Sequence, residues 1–441
     1  MTSLRDLEDC FEGVIPSIIA TAAADGTPNI SYLSHVAMVD DEHVGISNQF
    51  FAKTAANIRA NPQASLLLVS ARHGGQFRLD LSWVSSRDEG ALFDRMSGQL
   101  RASSAQVGMA GVMRLRAVEF FRVDAICAVA SPFDKAEAGT GAPMPDLMAL
   151  GRAIKAIGAQ GDAEAVVGAV LDGCAALGFA NAILLLADGS RRLLTTVASR
   201  GYDRSGIGSE VSFGDGLIGT AATSRQTVKV SDMSRVRRLG AAIEATTSAD
   251  ENRTRTAALP GLPDAMSQMA IPLLAQGAVR GVLFVESRQR LAFGLAHETA
   301  LEALAGQCAL ALGELPASET RATAQGSAPA QPAGRVIQVV HHHFDDSVFI
   351  DNAYVIKGVA GRLLAFMLEV YVREGRCDFT NREIRLAPAL RLPEIKDNLE
   401  TRLLLLRRRL DEKNLPVRLV HPGRGQVRLA LDGVPMVSKA G

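Results

Sequence analysis

Short apolar runs separated by turn residues dominate the first 135 positions of the chain. Residues 15–23 are β-branched and apolar and end at Asp25-Gly26, a pair suited to a tight turn. A second run over 30–39 stops at the acidic turn 40–42, and 44–47 follows as a third strand. Residues 52–60 read as a helix that stops before Asn61-Pro62, because proline disfavours helical backbone at the residue ahead of it. Runs at 64–69, 77–84 and 118–123 add strands, and Ser86 with Glu89 predicts a capping box for a helix through Met96. Many short strands with few helices predict a small barrel.

The pattern then changes. Leu147, Leu150, Ile154 and Ile157 recur at helical spacing, and Asp162 is placed to cap a helix over 163–177. Strands are expected at 182–187 and 193–199, a hairpin at 269–274 and 279–286 around Gln276-Gly277, and an amphipathic helix over 297–312. That alternation predicts an α/β sandwich. A third region begins with strands and turns helical over 359–373. Thr380 with Glu383 caps a second helix, and Pro393 opens a third that runs to Lys413. Ile395, Leu399, Leu403, Leu406 and Leu410 form one apolar stripe on that helix, so it packs on the other two. Strands 417–420 and 426–431 flank His421-Pro-Gly-Arg-Gly425, a hairpin with a basic tip.

Pro316 to Gly334 has almost no large apolar residue and cannot support a core, so it reads as a linker. A second break falls at 136–145, where Gly139, Gly141, Pro143 and Pro145 cluster. The chain is therefore expected to be multidomain α+β: a barrel over 1–135, a sandwich over 145–314, a flexible linker over 315–334 and a third domain over 335–432. A length of 441 residues and 47% hydrophobic content agree with several cores.

The formal charge is zero overall, so no global field draws the protein to a polyanion. Locally, Lys+Arg against Asp+Glu count 12 to 16 over residues 1–144 (−4), 17 to 18 over 145–334 (−1), and 17 to 12 over 335–431 (+5). Only the last has the sign that phosphate favours. The cysteines at 10, 127, 174, 308 and 377 are scattered and form no CxxC pair, which argues against a disulfide framework or a structural zinc site. Cys174 and Cys308 fall in helical patterns and read as buried hydrophobes. His341, His342 and His343 are adjacent in a strand and point to alternating faces, so they do not chelate as one set. There is no basic-then-apolar leader, and no run nears the roughly 18 apolar residues of a membrane span, so a cytoplasmic protein without membrane contact is expected.

The segment Gly45-Ile-Ser-Asn-Gln-Phe-Phe-Ala-Lys-Thr-Ala-Ala-Asn57, with 58–62, resembles the pyridoxamine 5′-phosphate oxidase-like split barrels over residues 5–125. The resemblance implies FMN, with its phosphate held where a strand leads into a helix. Lys53 and Thr54 supply a cation and a hydroxyl near that helix start. Ser47 and Gln49 are placed for the flavin ring, and Asn57 stands one helical turn further on. The family's Arg/His set for the pyridoxine substrate is not matched, which bears on oxidase activity more than on flavin binding. The resemblance also implies a homodimer with the flavin at its interface. His35 reads as a packed or exposed strand residue rather than a ligand. Trp83, the one tryptophan, reads as core packing, with flavin stacking as the alternative.

Phe213-Gly-Asp-Gly-Leu-Ile-Gly219, residues 226–232, Met269-Ala-Ile-Pro-Leu-Leu274 and Arg280-Gly-Val-Leu-Phe-Val-Glu286 resemble a GAF domain over 145–314. Such domains take cyclic nucleotides, tetrapyrroles, small aromatics or nothing, so a small-molecule ligand is implied without its identity. Gly214, Gly216 and Gly219 serve tight turns rather than a nucleotide loop. The long polar stretch 235–265 reads as a ligand lid or a disordered loop, and its Arg235, Arg237 and Arg238 face either an anionic ligand or solvent.

Residues 336–431 resemble the winged-helix (winged helix-turn-helix) domains of response regulators, most of all over 393–431. In that family the third helix enters the DNA major groove and the wing tip touches the neighbouring groove or backbone. The resemblance implies Asn398 and Arg402 as base readers, Lys396, Thr401, Arg407 and Arg408 on the same polar face, and Arg424 at the tip. Glu394, Asp397 and Glu400 depart from what a phosphate-facing surface needs, although acidic residues also suit a helix start.

A transcriptional regulator follows, in which ligand in the first two domains changes dimer geometry and hence DNA binding. The alternatives are a flavin-dependent oxidoreductase with regulatory appendages, and a scaffold whose winged helix contacts protein.

Overall fold

The computed structural model describes residues 2–49, 52–106, 113–130, 143–188, 191–234, 255, 257–314, 335–390, 399–423 and 425–440. The expected linker 315–334 and most of the polar stretch 235–265 lie outside them, as do Lys396, Asn398 and Arg424.

Strands β1 (Ser17–Ala22), β2 (Pro28–Leu33), β3 (Val36–Met38), β4 (His43–Asn48), β5 (Gln63–Val69), β6 (Gln76–Arg87) and β7 (Ala117–Val129) build the first sheet. Its order is β2-β1-β5-β6-β7-β4-β3, antiparallel throughout. The run expected as one strand over 30–39 is two, broken at Ser34 and His35. Those two residues alone separate β2 from β3, yet the strands lie at opposite ends of the order. The sheet must therefore curl back on itself into a barrel. Ile19, Ile46, Leu66, Leu68, Leu79, Leu81 and Phe121 fill it, and Leu4, Leu7 and Cys10 of a 3-10 helix (Leu4–Glu12) join that core.

Helix α1 (Ala52–Ala60) has the expected bounds. Helix α2 does not: it is Ala91–Gln106, and Ser86 is no cap but lies in β6, paired with Glu119. The β6–β7 ladder continues to Arg87 and claims that backbone, and the chain turns only at Gly90, at φ 103°.

The second unit has helices α3 (Leu147–Gly158) and α4 (Ala163–Ala176), the latter capped by Asp162 as expected. Its sheet holds β8 (Asn181–Asp188), β9 (Leu193–Arg200), β10 (Glu210–Ser212), β11 (Val228–Val230), β12 (Ser267–Ala275) and β13 (Ala278–Ser287), in the order β10-β9-β8-β13-β12-β11. Helix α5 (Gly216–Ser224) joins the core on one face, and α6 (Leu295–Glu314) packs with α3 and α4 on the other. Cover on both faces explains why β8, β12 and β13 are nearly continuous apolar runs. The β12–β13 hairpin turns at Gln276 and Gly277, both at positive φ.

The third unit places β14 (Val336–His342), β15 (Ser347–Ile350) and β16 (Ala353–Ile356) before helix α7 (Gly358–Glu374). Strand β17 (Asp378–Thr380), helix α8 (Asn381–Leu386), helix α9 (Leu399–Glu412), and strands β18 (Val417–Gly423), β19 (Gln426–Leu431) and β20 (Val434–Ala440) follow. Two sheets, β16-β15-β14-β20 and β17-β19-β18, enclose one apolar core with the helices. Thr380 caps α8 through the Glu383 amide, as expected. One detail differs from expectation. The unit extends past residue 432, because β20 adds to β14 in parallel and satisfies that edge. Helix α9 is described from Leu399, and its expected start at Pro393 lies outside the described residues. His341 and His343 do share one side of β14, 4.7 Å between ring centroids, while His342 stacks on Phe349 on the other.

Candidate functional site

The corner where β4 meets α1 gathers the residues expected to hold a cofactor. Ser47 and Gln49, at the end of β4, and Thr54 and Asn57, on α1, are all buried, whereas Lys53 in the first turn of α1 is exposed. Most of the buried groups are already engaged. Thr54 Oγ1 accepts from Asn29 Nδ2 at 3.0 Å and lies 2.9 Å from Ser31 Oγ. Asn57 Nδ2 donates to Thr21 Oγ1 at 3.1 Å. These bonds fasten α1 to β1 and β2. Ser47 Oγ accepts from the His35 amide at 3.1 Å. Gln49 differs: its carbonyl accepts from Ser34 Oγ at 3.1 Å, but its Nε2 is buried with no partner. A buried, unbonded amide costs roughly 1–3 kcal/mol, which an acceptor on a ligand would recover. The cavity behind α1, lined by Ile19, Ile46, Thr54, Ile58 and Phe121 among others, holds about 10 Å³, at most one water, and does not take a ring-sized ligand.

Trp83 does not face that corner as a free ring. Its Nε1 donates to Glu119 at 3.0 Å, and Glu119, buried at 2% exposure, also accepts from Asn48 Nδ2 at 2.9 Å.

A second polar site lies between the first two units. Lys229 Nζ, on β11, bonds Glu12 at 2.8 Å, the Phe293 carbonyl at 3.0 Å and Glu298 at 3.2 Å. Burial disfavours its charge, but Glu12 and then Glu298 outweigh this and raise its pKa. Gln99 of α2 brackets the same strand, bonding both the amide and the carbonyl of Lys229. A cavity of about 110 Å³ opens here, lined by His35, Arg95, Gln99, Thr227, Lys229 and Glu298 among others. Burial, with Arg95 and Lys229 nearby, pushes the His35 imidazole down to about 4. No spacing rule joins residues 12, 35, 229 and 298, so sequence reasoning missed this cluster.

In the middle unit Gly214 and Gly216 take positive φ, and a Cβ on Gly219 would stand 2.2 Å from the Ser212 carbonyl. They shape a turn, as read from the sequence. Glu286 of β13 is buried at 4% exposure and accepts from Gln268 Nε2 at 2.8 Å and the Leu262 amide at 3.0 Å. Burial raises its pKa against those bonds. Cys174 and Cys308 are buried, and burial pushes the Cys174 thiol up to about 12, so both act as hydrophobes.

In the third unit, the expected basic face of α9 is not free. Arg402 Nη2 lies 3.5 Å from Asp188 at the end of β8. Arg407 pairs with Glu164 in the first turn of α4. Arg408 donates to the Val197 carbonyl of β9 at 3.0 Å, and burial, then Arg407, lowers its pKa. Arg402, Arg407 and Arg408 are 17%, 21% and 19% exposed. Thr401 is half-buried on the same helix. The arginines are therefore turned mainly to the middle unit, a contact that no local pattern announces.

Two family models match the chain. Residues 5–125 match the model for pyridoxamine 5′-phosphate oxidase, and residues 160–313 match that for the GAF domain. Among curated proteins nothing matches. Similar solved structures include an FMN-binding protein from Syntrophomonas wolfei, 17% identical over 28% of this chain and 85% of its own, at TM-score 0.25. The GAF domain of an Acinetobacter phosphoenolpyruvate-protein phosphotransferase is 21% identical over 38% of this chain and 92% of its own, at TM-score 0.31. A free methionine-R-sulfoxide reductase from Neisseria meningitidis, in complex with its substrate, is 18% identical over 40% and 96%, at TM-score 0.30. The first barrel is thus a split barrel of the pyridoxamine 5′-phosphate oxidase type, and the middle unit is a GAF domain.

Proposed function

We propose that this protein is a flavin-holding, small-molecule-responsive regulator, working as a homodimer, whose third domain is a winged helix that binds DNA. The observation that carries the flavin part is the buried, unpartnered Gln49 amide at the β4–α1 corner, on a barrel matched by the family model for pyridoxamine 5′-phosphate oxidase. FMN fits the donors present there. Lys53 offers a cation at the start of α1 for its phosphate, and Gln49 offers an amide for an oxygen or nitrogen of its ring. When bound, the flavin supplies reversible redox chemistry, and this chain's residues bind and orient it. The GAF domain is the second ligand site of this reading.

The support for the third domain is its order of elements: three strands, a helix, the short β17, two further helices and the β18–β19 hairpin, with β20 closing the first sheet, and a surplus of five positive charges over 335–431. Purification of the full chain tests the reading. Flavin absorbance in the protein peak, or saturable uptake of added FMN, supports the cofactor, and a colourless protein that ignores FMN overturns it. Duplex DNA should bind with an affinity that falls as salt rises. Binding that is absent at low salt overturns the regulator.

A further inference from the structure

The contact between α9 and the GAF domain has apolar and polar layers. Leu404, 4% exposed, belongs to the apolar cluster of the GAF domain built by α3, α4 and α6. Around it stand the Arg402–Asp188 pair, the Arg407–Glu164 pair and the Arg408 bond to the Val197 carbonyl. Glu412, at the far end of α9, accepts from Ser205 Oγ. Beyond the helix, Lys357 pairs with Glu210 at 3.0 Å and Arg255 with Asp345 at 3.3 Å. The joint is held at several points.

We propose that the GAF domain is an internal competitor for the DNA-facing side of α9, its Glu164 and Asp188 carboxylates standing where phosphates would otherwise be. The inference rests on the DNA-binding reading above. A guanidinium engaged by a half-buried carboxylate cannot also neutralise a phosphate, and Leu404 cannot leave the apolar cluster without exposing it to water. Release of α9 and binding of DNA are therefore one linked equilibrium. A ligand that moves the β8–β9–α4 ledge changes DNA affinity without touching DNA, and the coupling of such sites is typically about 5–150-fold.

The test uses the full chain with Glu164→Gln and Asp188→Asn together, which removes both carboxylate charges and leaves every arginine in place. Hydrogen exchange of the α9 peptides reads release, and fluorescence anisotropy with a mixed-sequence duplex at fixed salt reads affinity. Both exchange and affinity should rise, the affinity by about tenfold. Glu374→Gln, an exposed pairing away from the joint, should change neither. Ser205→Ala, a milder cut at the same joint, should raise both by less and serves if the double variant fails to fold. Unchanged exchange in α9 overturns the clasp. Raised exchange with unchanged affinity overturns the competition. If no protein in the series holds duplex at low salt, the DNA-binding reading itself has failed.

Discussion

Lys229 offers a direct measure of how firmly the split barrel and the GAF domain are joined. Its ammonium belongs to the GAF strand β11, and one of its two carboxylates, Glu12, belongs to the barrel's first helix. The side chains are 17% and 9% exposed, and Glu298 on the GAF side is 13% exposed. Fully exposed pairs contribute about 0–1 kcal/mol, whereas removing one partner of a buried pair costs about 3–5 kcal/mol. Lys229→Met lies nearer the second case, because Glu12 and Glu298 would face each other without a cation. Glu12 would keep only its bond from Ser231 Oγ, at 2.6 Å. The neighbouring cavity admits some water, which lowers the expected loss to about 2–3 kcal/mol. A double-mutant cycle with Glu12→Gln isolates the pair. Followed by denaturant unfolding, the cycle should give a coupling of about 1.5 kcal/mol or more. The barrel and GAF transitions should coincide in the parent and separate in the single variants. A coupling below about 0.5 kcal/mol, or transitions that stay coincident, would refute the idea that this triad holds the two domains.

Three further outcomes follow from the same geometry. His35 has a folded pKa of about 4, below the unfolded value near 6.5, so the unfolded chain binds the proton first as pH falls. Stability should drop between those two values by up to about 3 kcal/mol, and His35→Gln should flatten that limb of the stability–pH curve. Thr54→Val keeps the shape of the side chain but removes its bonds to Asn29 and Ser31, leaving Asn29 only longer contacts to Thr21 and Ser31 at 3.5 Å, and a loss of about 1–2 kcal/mol with faster hydrogen exchange in α1 is expected. Gln49→Leu removes the unpartnered amide and should weaken FMN binding about tenfold, measured by fluorescence titration, while the barrel's melting temperature stays level or rises.

Much of the fold was legible because local rules and tertiary demands agreed. Helix α1 ends where Asn61-Pro62 forbids more helix, Asp162 and Thr380 cap the helices they precede, and Gln276-Gly277 turns the β12–β13 hairpin. The misreadings share one cause. Ser86 and Glu89 satisfy a capping rule locally, yet β7 offers that backbone a longer ladder, and the ladder prevails. Strand β20 was missed because a short polar-flanked run has no pattern of its own, and its partner lies about a hundred residues earlier.

The candidate sites divide along the same line. Gly45 to Asn57 marks the candidate corner in sequence, since one strand and one helix carry it, and neighbours in the chain remain neighbours in space. Which of its side chains are available is a tertiary matter: Thr54 and Asn57 are engaged by Asn29, Ser31 and Thr21, whereas the buried Gln49 side-chain nitrogen has no partner. The charges of Arg402, Arg407 and Arg408 were equally plain, but a count of charges carries no direction. Only when the GAF domain packs on α9 are they turned toward Asp188, Glu164 and the Val197 carbonyl. Periodicity records which face of an element is buried; it does not record what buries it, because that choice depends on contacts between residues some two hundred positions apart.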